Sequence, residues 1–242
     1  MNPSRPGGEV PPRSPFEGYD WVDLSHTLEE GIPAWPTHAR FSSVPYESQR
    51  LGDVATHHGL TISEHTGTHM DAPLHFVPEG PAHYGTDEIP LQRLAGRAAT
   101  IDATDLGAGD LLGRDRIEAW EREPGPIEPG DRVLFRYGWD ERRATGAEGR
   151  RFLKDWPGLS GGAAEYLVGR GTALVGCDAL AMDAAGSQEN SAHHALLGNE
   201  VYVVENLKNL RLLPPFCLFV ALPLKIKGGS GSPVRAVALV PR

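Results

Sequence analysis

Between His65 and His75 the chain places three imidazoles and one carboxylate, His65, His69, Asp71 and His75, within eleven residues. A regular helix would put His65 and His69 on one face and Asp71 on the far side, because its period is 3.6. A straight strand would align all four, but would separate His65 from Asp71 by about 20 Å at roughly 3.3 Å per residue. Ligands of one ion lie about 2.0–2.2 Å from it. The four groups therefore converge only if the backbone turns between them. Gly67 is a permissive position for such a turn, and Pro73 blocks a continuing helix or ladder. The expected arrangement is a strand through Leu60-Thr61-Ile62, then a tight turn presenting side chains inward. A polar loop of solvated histidines is the alternative for any one of them, but the density of the cluster favours a metal. With no Cys in the cluster, the donors are N and O, which suits zinc or manganese in a catalytic site better than a structural zinc of the Cys type.

The run His65-Thr66-Gly67-Thr68-His69-Met70-Asp71-Ala72-Pro73-Leu74-His75 resembles the signature of the cyclase family of metal-dependent hydrolases, which includes kynurenine formamidase and isatin hydrolase. The likeness extends over most of residues 20 to 242. It implies a mixed α/β, sheet-rich swivelling β/β/α domain over residues 19–242, behind a disordered arm at 1–18. It also implies a homodimer or higher oligomer. In this family a His and a Glu twelve residues later complete the metal site, which selects His193 and Glu205 here. By the same likeness His65, His69 and Asp71 serve a first ion, Asp71 and His193 a second, and Glu205 one or both. The ions would be zinc, one or two, with manganese as the alternative. His75 matches an acid/base residue, with a fourth metal ligand as the other possibility. Trp35 matches a substrate-contacting tryptophan in a Trp-Pro loop.

The residues themselves support parts of this. Trp35 lies between Pro33 and Pro36, and so has few backbone states to lose as a wall for an aromatic ligand. As a bare sequence feature it fits a core tryptophan equally well. Glu205 closes the apolar run Val201-Tyr202-Val203-Val204, an expensive place for an unpaired carboxylate. A cation would remove that cost, and so would a surface salt bridge to Lys208 or Arg211. Asp183 follows the apolar strand 172–178, where the family commonly has Ser-x-Asp and this chain has Ala181-Met182-Asp183.

The implied activity is hydrolysis of a non-peptide C–N amide bond in a small aromatic substrate, arylformamidase-like on N-formylkynurenine. Isatin hydrolase-like opening of a cyclic amide or lactone is the alternative, and a non-catalytic metal-binding protein is the rival from another class. A further rival is Gly158-Leu159-Ser160-Gly161-Gly162, which matches the G-x-S-x-G nucleophile elbow. The elbow needs a buried strand before it, and Lys154-Asp155-Trp156-Pro157 is polar and broken by proline. Ser160 reads better as the N-cap of a helix over 163–168.

Composition narrows the rest. The formal charge of −9 argues against a nucleic-acid surface. No apolar run approaches the 18 or so residues a membrane helix needs. Residues 1–15 lack a signal core, so a cytoplasmic protein is expected. Cys177 and Cys217 fit no metal or redox spacing. Strands are expected over 21–25, 97–102, 132–137, 172–178, 201–207, 216–222 and 234–240, with helices at 91–94 and 114–121. Residues 140–151 read as an exposed charged loop, and 227–233, which lacks a phosphate-loop lysine, as a flexible one.

Overall fold

A computed structural model describes residues 16–242; the arm expected at 1–18 falls mostly outside them. The described residues form thirteen strands and three α-helices. The strands are β1 (Tyr19–Asp23), β2 (Ser42–Glu47), β3 (His57–Thr61), β4 (His69–Asp71), β5 (Ala95–Asp102), β6 (Leu111–Leu112), β7 (Arg132–Arg136), β8 (Gly158–Leu159), β9 (Leu174–Cys177), β10 (Tyr202–Glu205), β11 (Phe216–Val220), β12 (Gly231–Pro233) and β13 (Val237–Pro241). The helices are α1 (Arg114–Glu121), α2 (Gly161–Gly169) and α3 (Ser191–Leu197).

Nine strands form one mixed sheet in the order β1-β13-β11-β5-β7-β9-β10-β4-β12. Its centre, β5-β7-β9-β10, is parallel, and the outer strands pair antiparallel. Both faces of the centre are covered, so these strands are near-continuous apolar runs whose alternate residues enter different cores. Val133, Phe135 and Val203 point into one core with Ile117 of α1, Leu167 of α2 and Leu196 of α3. Leu134 and Val204 point into the other, with Met70, Phe219 and Leu24. The result is the mixed α/β single domain expected.

Four expectations need amendment. Residues 69–71 are a buried strand inside the sheet rather than part of a turn. Its partners lie over a hundred residues away, so no local pattern announces it. Residues 227–233 are loop only in their first half, since 231–233 form the edge strand beside β4. Residues 140–151 are not simply an exposed loop: they hold two 3₁₀ turns, Gly149 is buried, and the amide of Gly146 donates to the carbonyl of Gly31, bracing the loop that carries Trp35. The 91–94 helix is a single 3₁₀ turn.

Candidate metal centre

The turn after β3 is built by its own side chains. Thr66 Oγ1 accepts from the amide of Ser63 at 2.8 Å, and the Thr66 amide donates to the Ser63 carbonyl at 3.1 Å. Gly67 follows at φ +65°, a conformation that favours glycine, and a Cβ there would push on Leu28 Cδ2 at 2.5 Å. Thr68 Oγ1 then donates to the Asn206 carbonyl at 2.6 Å, tying the turn to the end of β10. The chain enters β4 directly afterwards, and the period-2 alternation sends His69 and Asp71 to the helix side of the sheet and Met70 to the other core. Glu205 is the register partner of His69 across β10 and β4. His193 reaches the same spot from α3, over the carboxyl ends of the parallel strands where open α/β sheets place their sites.

The five side chains predicted as ligands therefore converge. His65 Nδ1 is 2.7 Å from Asp71 Oδ1, and His69 Nε2 is 3.5 Å from Asp71 Oδ1 and 3.4 Å from Glu205 Oε2. His193 Nε2 is 3.0 Å from Glu205 Oε1 and 3.5 Å from Asp71 Oδ2. Two groups result, His65-His69-Asp71 and Asp71-His193-Glu205, each with its donor atoms within 4.8 Å of one another and sharing Asp71. Asp71 Oδ2 is buried without a hydrogen bond. A buried carboxylate oxygen left open among imidazole nitrogens is what a cation would satisfy, and the all N/O donor set suits a divalent one. Glu205 faces this cluster rather than Lys208 or Arg211, and the Met182 amide donates to its Oε1 at 2.6 Å.

The charges are interlocked. Burial works to raise Asp71, but the neighbouring rings of His65, His193 and His69 outweigh it and hold the carboxyl well below its usual range. Burial likewise opposes a proton on His193, yet Asp183, Asp71 and Glu205 raise its proton affinity well above the ordinary value. Two carboxylates and three imidazoles thus share one buried space.

His75 sits on the 3₁₀ turn Pro73–His75, stacked on His65 with ring centroids 4.0 Å apart. Burial lowers its pKa to about 4, so the ring is neutral near pH 7. It belongs to neither ligand group. His194 is exposed, because one residue along a helix turns the side chain about 100° away from His193. A cavity of about 220 Å³ opens above the cluster. Trp35, 42% exposed, and Phe76 line it, along with His38, which sequence reasoning passed over. His38 lies 5.6 Å from the ring of His65, and only folding brings it there. The competing serine motif dissolves: Ser160 Oγ accepts from the Ala163 amide at 3.2 Å as an N-cap, and the preceding strand β8 is two residues long.

The family described as "Putative cyclase" matches residues 22–184. The chain is 38% identical to the isatin hydrolase of Roseibium aggregatum over 76% of this chain and 74% of that one. The chain belongs to the cyclase family. The chain is also 31% identical to the kynurenine formamidase of Bacillus cereus, over 90% of this chain and 96% of that one. Among solved structures, an isatin hydrolase bound to the product analogue thioisatinate superposes with a TM-score of 0.84 at 30% identity, covering 93% of the cyclase and 94% of that chain. The chain is a metal-dependent hydrolase with the fold of these relatives.

Proposed function

We propose that this protein hydrolyses a non-peptide C–N amide bond of a small aromatic substrate, with N-formylkynurenine the leading compound. Such a reaction would place it in tryptophan catabolism. The observation that carries the reading is the convergence of His65, His69, Asp71, His193 and Glu205 beneath a cavity walled by Trp35 and Phe76. A divalent ion, zinc as one or two ions or else manganese, supplies a Lewis acid and lowers the pKa of a coordinated water.

The chain's own residues do the rest. His65, His69 and Asp71 would hold one ion, and Asp71, His193 and Glu205 would hold another. Trp35 and Phe76 flank the aromatic ring and exclude water from it. His75, neutral because it is buried, accepts a proton at the site of attack and delivers it to the departing amide nitrogen, which is a poor leaving group without it. General acid–base assistance of this kind is worth about 10²–10⁴ in rate. A second reading, opening of an isatin-like cyclic amide or a lactone, is favoured by the higher identity to isatin hydrolase and by the compact cavity.

The test is metal content by elemental analysis alongside turnover of N-formylkynurenine and isatin, for wild type and His75→Ala. A hydrolase of this kind loses 10²–10⁴-fold in kcat in the variant and keeps its metal. A metal carrier has no turnover to lose.

The cyclase is further read as a homodimer. The β2–β3 ribbon stands apart from the main sheet with Val44, Tyr46, Leu51, Val54 and Leu60 exposed, and two strands alone are marginal in water. A cytoplasmic location is supported by Cys177 and Cys217, both buried free thiols. No helix among the described residues is long and apolar enough to cross a membrane.

A further inference from the structure

Asp183 lies in the connection between β9 and α3, 6% exposed, and every polar atom of its side chain is engaged. Oδ1 accepts from the Ala192 amide at 2.9 Å. Oδ2 accepts from the His193 amide at 3.2 Å and meets His193 Nδ1 at 2.5 Å. Its main-chain carbonyl accepts from Trp156 Nε1 at 2.8 Å, and Trp156 packs edge-on against Trp35 with centroids 6.2 Å apart. The carboxylate is thus clamped at the first turn of α3 and from beneath the cavity wall.

We infer that Asp183 is a positioning residue for the metal centre, fixing both the orientation and the tautomer of the His193 ring. The inference rests on the metal-centre reading above. An ionised carboxylate only accepts hydrogen bonds, so the proton of a neutral His193 must lie on Nδ1. Nε2 then carries a lone pair aimed at Glu205 Oε1, 3.0 Å away, and Asp71 Oδ2, 3.5 Å away. One nitrogen lone pair and two carboxylate oxygens then converge in a buried space, where a divalent ion would take the place of a proton on Nε2, and Asp183 is the group that turns the imidazole toward it. A carboxylate behind a ligating histidine also raises the basicity of the ring, and losing such a partner typically costs about 10–100-fold in metal affinity.

Asparagine at 183 matches the size but offers one acceptor oxygen: at the Oδ2 position it leaves the Ala192 amide without a partner, at the Oδ1 position it leaves the His193 amide and Nδ1–H without one, and in both cases the charge is gone. The experiment is a zinc titration of metal-stripped wild type and Asp183→Asn against a chromophoric chelator, with circular dichroism and thermal melts run in parallel. The expected result is stoichiometric zinc in wild type and binding weaker by about 10–100-fold in the variant, with secondary structure retained. Unchanged zinc affinity with only a lowered melting temperature would make Asp183 a helix cap and overturn the inference, leaving the metal centre intact. A wild type that takes up no zinc or manganese overturns the metal-centre reading and this inference with it. Should the variant not fold, histidine-ring NMR of zinc-loaded wild type decides: a proton on His193 Nδ1 supports the assignment, and one on Nε2 overturns it.

Discussion

At the scale of single residues, the chemistry depends on side chains whose charge state burial has moved. His75 is held neutral beside a cluster that pulls protons toward His193, so two histidines in one pocket take opposite roles. Asp178, at the end of β9, shows the same force away from the centre. It accepts from the amides of Tyr137 and Gly138 at 2.8 Å each, yet burial, helped by the Asp140 carboxylate, pushes it up to about 7. The folded state therefore binds this proton more tightly than the unfolded chain does. Its contribution to stability is fully present below the unfolded value near 4 and is lost as pH rises through about 7. Asp178→Asn is expected to be less stable than wild type near pH 4, by about 1 kcal/mol for a lost backbone acceptor, with the order reversing toward pH 8, where wild type has lost the larger contribution of its raised carboxyl. Urea unfolding at several pH values checks this; a gap that does not change with pH refutes it.

At the scale of elements, the short strand β4 carries the site. It is held between β10 on one side and β12 on the other, and Gly231 of β12 is the tight point. A Cβ there would lie 2.6 Å from His65 Cε1 and 2.9 Å from the Met70 carbonyl oxygen. The carbonyl belongs to the ladder and cannot move, so the ring must. Gly231→Ala is expected to turn His65 away from Asp71 and weaken zinc binding at least as much as loss of an orienting partner does, by about 10–100-fold, measured by the same chelator competition. An alanine variant with wild-type affinity would show that His65 is not held by this contact. The local sequence predicted most central strands, α1 and the Ser160-capped α2, because near-continuous apolar runs, amphipathic stretches and N-caps are local signals. It missed β4 and β12, three residues each, whose ladder partners are far along the chain. A pattern that short says nothing until its neighbours are in place.

At the scale of the whole molecule, the projecting β2–β3 ribbon is the feature the single chain leaves least covered. Leu51 is 86% exposed and Val54 97% at its tip, where each would contribute about 1.5–3 kcal/mol if fully buried against a second copy. Sedimentation velocity of the Leu51→Ser/Val54→Ser variant is expected to show the dimer shifted to monomer at concentrations where wild type stays paired. A wild type that already sediments as a monomer sinks the homodimer reading. What the sequence by itself determined is the dense His/Asp signature and the apolar runs, since ligand type and hydrophobic periodicity are properties of neighbouring residues. That made the family resemblance, the donor chemistry and most of the sheet legible before any coordinates. The tertiary structure decided that Glu205 stands opposite His69, that Asp71 is shared by two donor groups, and that Asp183 and His38 belong beside them. Those facts depend on the register between strands more than a hundred residues apart, which is set when both faces of the sheet pack and which no local spacing encodes.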